Sequence, residues 1–155
     1  MPEPRLALIA ALAVALGWLV VGLAGLVRPQ STFVVSRLMF PLGALGGVLL
    51  AIAGLASLAA PPVELVLPLG LPDLPMHLRL DSLSAFFLFL LGSAVAGISV
   101  FAAGYFRAGE GTSPGLLCLQ YHVFLASMTL VLLANDAYAF MVSWESMALA
   151  SYFLV

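Results

Sequence analysis

Five apolar stretches, each about as long as a bilayer-crossing helix, decide what this chain can fold into. About 20 residues rising 1.5 Å each cover the roughly 30 Å of membrane hydrocarbon. The stretches are Leu6–Val27, closed by Arg28-Pro29; Leu38–Ala60, closed by Pro61-Pro62; Leu83–Ala103; Leu116–Leu133; and Ala137–Val155. A soluble domain of 155 residues could not hide so much apolar surface, with 64% of residues hydrophobic and only 8% charged. The pattern predicts an all-α membrane protein of about five transmembrane helices. Arg5 precedes the first stretch as a charged region precedes a signal peptide. That stretch is too long for such a peptide and lacks a small-residue cleavage site, so it reads as a retained helix.

Residues 1–60 read as two transmembrane helices, and residues 83–155 as the third to fifth. Residues 61–82 between them do not read as helix. Val63-Glu64-Leu65-Val66-Leu67 precedes Pro68, Gly70, Pro72 and Pro75, and Met76-His77-Leu78-Arg79-Leu80 alternates polar and apolar residues. Period-two runs around a Pro/Gly centre predict a short surface hairpin or irregular loop. Asp81 is placed to cap the third helix, and Asn135-Asp136 the fifth, because Asx side chains accept free N–H groups of a first turn. Gly43, Gly47 and Gly54 suit close helix packing.

Arginines in the loops set the expected orientation. The Arg28–Arg37 and Arg107 loops fall on one side, and Arg5 and Arg79 on the other. This bias favours an N-terminus outside, with the first group cytoplasmic. Glu110, beside Arg107, reads as a solvated loop charge. The fifth stretch reaches Val155 without a polar flank. The chain is therefore expected to be the N-terminal part of a longer protein.

Composition excludes several functions. No basic patch supports nucleic-acid binding. A single cysteine, Cys118, excludes an internal disulfide and a cysteine-rich metal or iron–sulfur site, and reads as a packing residue. No nucleophile lies beside a base, no Gly-rich phosphate loop is present, and no cofactor is expected in this chain.

Glu145 stands out, inside Phe140-Met141-Val142-Ser143-Trp144-Glu145-Ser146-Met147-Ala148. A carboxylate at the bilayer centre costs roughly 2.5–3.5 kcal/mol on insertion scales, so such groups usually serve proton or ion movement. A structural carboxylate satisfied by hydroxyls or by an arginine is the alternative. Met141, Ala148, Leu149 and Tyr152 are its neighbours at helical spacing, so a charged partner must come from another helix. His122 is a second candidate, as a lining of a hydrated path or as a packing residue. Antiparallel helices rising 1.5 Å per residue put the two within about 10 Å in depth, which permits a water bridge. Asp136 could also mark a proton exit.

The motifs carry a family resemblance. Leu78-Arg79-Leu80-Asp81-Ser82-Leu83-Ser84-Ala85-Phe86-Phe87, then Ala126-Ser127-Met128, Leu133-Ala134-Asn135-Asp136 and Trp144-Glu145-Ser146-Met147-Ala148-Leu149-Ala150-Ser151-Tyr152-Phe153-Leu154-Val155 occur in order. From about Leu78 onward the chain resembles the hydrogenase-4 component B and formate hydrogenlyase membrane subunits. These are relatives of the antiporter-like subunits of respiratory complex I and of multisubunit sodium/proton antiporters. The resemblance implies a proton-translocating subunit without redox centres in the bacterial inner membrane. Its partners would be the other membrane and peripheral subunits of a hydrogenase or dehydrogenase complex. It also implies that Glu145 pairs with a lysine two helices later, beyond Val155. The rival reading is a noncatalytic membrane anchor or scaffold, with Glu145 as a helix-association group.

Overall fold

The computed structural model of the chain describes residues 4–71, 73–105 and 113–154. Arg107 and Glu110 lie outside them. Of the described residues, 77% are helical. Helix α1 runs Pro4–Gly25 and α2 runs Thr32–Ser57. Strands β1 (Val63–Leu71) and β2 (Leu74–Leu80) follow, then α3 (Ser82–Tyr105), α4 (Pro114–Leu133) and α5 (Ala137–Leu154).

Helix α2 begins six residues before its predicted start at Leu38. Ser31 starts it by accepting the Val34 N–H at 3.3 Å. Pro41 inside the helix has no N–H to offer the Arg37 carbonyl, and its ring crowds that carbonyl. The backbone answers with a π segment over Val35–Met39, where the Phe40 N–H reaches back to the Val35 carbonyl. The helix continues through the proline instead of breaking at it.

The hairpin expected at residues 61–82 is antiparallel, with Val63 opposite Leu80, Glu64 opposite Arg79 and Val66 opposite His77. Its register shifts between Leu67 and Gly70. Pro68 cannot donate to the ladder, and Gly70 sits at φ +127°, a conformation that only glycine adopts easily. Leu78 and Leu80 point inward and are buried, while Glu64 and Val66 on the partner strand are exposed.

The core joins Leu8, Ala11 and Trp18 of α1, Leu50 of α2, Leu88 and Val95 of α3, Leu125 and Leu133 of α4, and Leu78 of the hairpin. Helices α2 and α3 meet through glycines, as expected for Gly47 and Gly54. A Cβ on Gly47 would stand 2.8 Å from the Gly92 carbonyl, and one on Gly54 would stand 2.5 Å from the Phe89 nitrogen. In hydrocarbon, helices associate by such close packing, because lipid supplies no hydrophobic drive between them. One end of the bundle is tied by the Gly115 N–H to the Pro29 carbonyl at 2.9 Å, the other by the Asn135 N–H to the His77 carbonyl at 2.9 Å.

Among the described residues, four helices are long and apolar enough to cross a membrane: Arg5–Gly25, Thr32–Ser57, Ser82–Tyr105 and Pro114–Leu133. They make the chain a membrane protein. The fifth predicted span forms a helix of 18 residues but is not among the four. Glu145, Ser143, Ser146, Ser151, Tyr138 and Tyr152 lower its hydropathy. The expected count of about five spans therefore stands at four by length and composition.

Candidate functional site

Glu145 lies near the middle of α5, about 12 Å along the axis from Ala137 at 1.5 Å per residue. The buried residues of this helix are Ala139, Ser143 and Ala150, which form the seam against α4. Glu145 is two positions from Ser143, hence about 200° around the helix, on the other face. It is exposed there together with Met141, Leu149 and Tyr152. Among the described residues it has no hydrogen-bond or ionic partner. The Ser146 hydroxyl, one residue on, donates to the Val142 carbonyl at 2.9 Å. The neighbouring hydroxyl thus serves the helix backbone and not the carboxylate.

His122 is placed differently. It is wholly buried inside the bundle, where Phe40 of α2 and Tyr121 flank its ring and the α1 backbone at Gly22 lies beside its Cβ. Its Nδ1 lies 2.8 Å from the Cys118 carbonyl oxygen and 3.5 Å from the Cys118 sulfur. The water bridge between His122 and Glu145 that depth alone permitted is not supported. One side chain faces the core, and the other faces away from it.

Asp136 is a helix cap, as its position suggested. Its Oδ1 accepts the Ala139 N–H at 2.7 Å. Its Oδ2 accepts the His77 N–H at 2.6 Å and lies 3.5 Å from His77 Nδ1. The Ala139 and His77 amides hold its carboxyl below the usual carboxylate range. Asp81 caps α3 through the Ser84 N–H at 2.9 Å, and that bond likewise lowers its pKa. Arg79 bridges this end of the hairpin, 3.5 Å from Asp81 and 3.9 Å from Glu64. The hairpin, the start of α5 and the start of α3 therefore form one polar cluster at one end of the bundle.

Three groups escaped the sequence reading. His77 holds Asp136 across 59 positions of chain. Ser99 and Tyr121 are hydrogen-bonded at 2.9 Å between α3 and α4. The Trp18 indole N–H donates to the Gly43 carbonyl at 3.2 Å, linking α1 to α2. The available signals were a serine, Ser99, inside the apolar run of α3 and a tyrosine beside His122.

No protein-family model matches the chain. It is 36% identical over 96 residues to hydrogenase-4 component B of Escherichia coli, a match covering 62% of this chain and 13% of that protein. Two uncharacterized proteins of Mycobacterium tuberculosis are each 36% identical over 86 residues, covering 55% of this chain and 13% of theirs. The chain thus spans about an eighth of the length of the curated relatives it matches. It is a membrane protein with partial similarity to hydrogenase-4 component B.

Proposed function

We propose that the chain is the N-terminal part of a proton-translocating, antiporter-like membrane subunit in a hydrogenase-4, formate hydrogenlyase or complex I-like oxidoreductase complex. Glu145 is its titratable group. The observation carrying this reading is the setting of Glu145: a carboxylate in the middle of an apolar helix, on an exposed face, without a partner among the described residues. An ionisable group at that depth is expected to face protein or water. Further helices of the same subunit would cover this face, complete α5 as a fifth crossing and bring the cation that Glu145 lacks. The partial match to hydrogenase-4 component B supports the assignment.

In this reading the chain performs no redox step and holds no cofactor; both belong to other subunits. Energy from electron transfer reaches Glu145 as a change in hydration or in the distance to its partner. Drier surroundings favour the neutral acid, and an approaching cation favours the carboxylate, so the group takes up and releases a proton in turn. His122 contributes a polar site in the N-terminal bundle, and Asp136 fixes the end of α5 from which Glu145 is reached. The complex lies in the bacterial inner membrane, with the hairpin and N-terminus outside.

The test is Glu145→Gln in the full-length subunit within its complex. The amide keeps size and hydrogen bonding but does not titrate. Proton uptake into reconstituted vesicles, read with a pH-sensitive dye, is expected to fall at least tenfold at normal complex yield, with Glu145→Asp retaining part of it. The exposed carboxylate also fits a scaffold role in helix association. That reading predicts the opposite order, with assembly failing first and no special sensitivity to charge.

A further inference from the structure

Arg5 and Glu64 line one pocket, and no ion pair joins them. The pocket lies between the start of α1 and strand β1 and has a volume of about 350 Å³, within the range of small-molecule sites. Its apolar walls are Leu8 and Ile9 of α1 and Val63, Leu65 and Val66 of β1. The Arg5 side chain has no ionic or hydrogen-bonded partner among the described residues. Glu64 meets Arg79 at 3.9 Å and the Asn135 amide at 3.4 Å, both through Oε1. Its Oε2 is left without a partner among the described residues. Four consecutive residues of β1 line the pocket, although successive side chains point to opposite faces of a strand. The strand is therefore presented edge-on, by the edge that β2 does not pair. The first span runs from Arg5 to Gly25, ~30 Å at 1.5 Å per residue, so Arg5 stands where the hydrocarbon ends. Below it Ile9, Leu16, Val20 and Leu23 are exposed on the same face of α1.

We propose that this pocket binds the head group of a phosphatidylethanolamine, a phospholipid that carries a phosphate and a primary ammonium. Arg5 donates to the phosphate, and Glu64 Oε2 accepts from the ammonium, both as charge-assisted hydrogen bonds. The glycerol lies against Ile9 and Val63, where the unpaired edge of β1 offers backbone N–H groups to the ester carbonyls. The acyl chains descend along Ile9, Leu16, Val20 and Leu23 into the hydrocarbon. Complementary charges fix orientation and select among ligands more than they add affinity. A phosphatidylglycerol satisfies Arg5 but gives Glu64 no cation. A phosphatidylcholine brings a cation without an N–H to donate. The lipid ties β1 to the first helix at the membrane surface. The site stands on this geometry and on the membrane class of the chain, not on the role proposed for Glu145.

The test is native mass spectrometry of the full chain, released from detergent micelles doped with equal amounts of phosphatidylethanolamine, phosphatidylcholine and phosphatidylglycerol of the same acyl chains. The expected result is one retained phosphatidylethanolamine, favoured about fivefold over either competitor. Arg5→Gln removes the phosphate anchor and should lower retention of all three lipids. Glu64→Gln should leave total retention in place and erase the preference for the ethanolamine head group. Val66→Trp keeps both charges, replaces an exposed side chain and fills the pocket. It should release the lipid, and it decides the matter should a charge variant fail to fold. Equal retention of the three lipids or a preference for phosphatidylglycerol would overturn the proposal. So would an ethanolamine preference that survives Glu64→Gln, or retention that neither Arg5→Gln nor Val66→Trp changes.

Discussion

Asp136 uses both carboxylate oxygens, one on its own helix at the Ala139 N–H and one on the hairpin at the His77 N–H. Asp136→Ala removes the cap and strands both amides, so we expect a loss of about 1–2 kcal/mol, read as a lowered thermal midpoint in detergent. Asp136→Asn keeps an accepting oxygen for the cap and should lose less. The folded pKa of Asp136 is depressed, so its stabilising effect is fully present above the ordinary carboxylate value of about 3.9 and disappears as pH falls through the lower folded value. Stability measured from pH 7 to pH 5 should not change on its account, and the difference between the parent and Asp136→Asn should shrink only below about pH 4. A difference already shrinking at pH 6 would contradict this assignment. The cap itself was legible from an Asx residue before an apolar run. The tie to His77 was not, because it joins residues 59 positions apart.

At the scale of elements, the α2–α3 seam depends on glycines that differ sharply in their surroundings. A Cβ on Gly54 would meet the backbone of Phe89 and Ala85 at 2.5 and 2.6 Å, whereas nothing lies within 4 Å of one on Gly97. Gly54→Ala must push the helices apart and is expected to destabilise by about 1–3 kcal/mol. Gly97→Ala should be neutral or stabilise by up to ~1 kcal/mol through helix propensity. Equal effects of the two in a thermal or denaturant assay would show that the seam is not glycine-limited. The hairpin was legible because proline and glycine punctuate it and period-two alternation flanks it. The true start of α2 was not. Ser36 and Arg37 break the apolar run, while the folded chain carries the helix through them in a π turn ahead of Pro41. The setting of His122 was equally hidden, since it depends on Gly43 and Phe40 of another helix.

For the molecule as a whole, the N-terminus of α1, the hairpin and the start of α5 share one end of the bundle, and the α1–α2 connection and the start of α4 share the other. With Cys118→Ser as background, a cysteine at Asp73 is expected to react with a membrane-impermeant thiol reagent added to intact spheroplasts, and a cysteine at Gln30 only after lysis. The reverse pattern would invert the proposed orientation. Composition made the membrane class legible, and one charge in an apolar helix singled out Glu145. Its face was not legible, because period and hydropathy do not say which side of α5 meets α4. Ser143 and the small residues Ala139 and Ala150 take that side, and the carboxylate is left on the outer one. In the proposed function Glu145 changes protonation as the complex works. Difference infrared spectroscopy of the whole complex at rest and during turnover measures this directly. The prediction is a protonated-carboxyl band that changes with turnover and is absent from Glu145→Gln. The same band persisting in Glu145→Gln, or no carboxyl change during proton-pumping turnover, would contradict it.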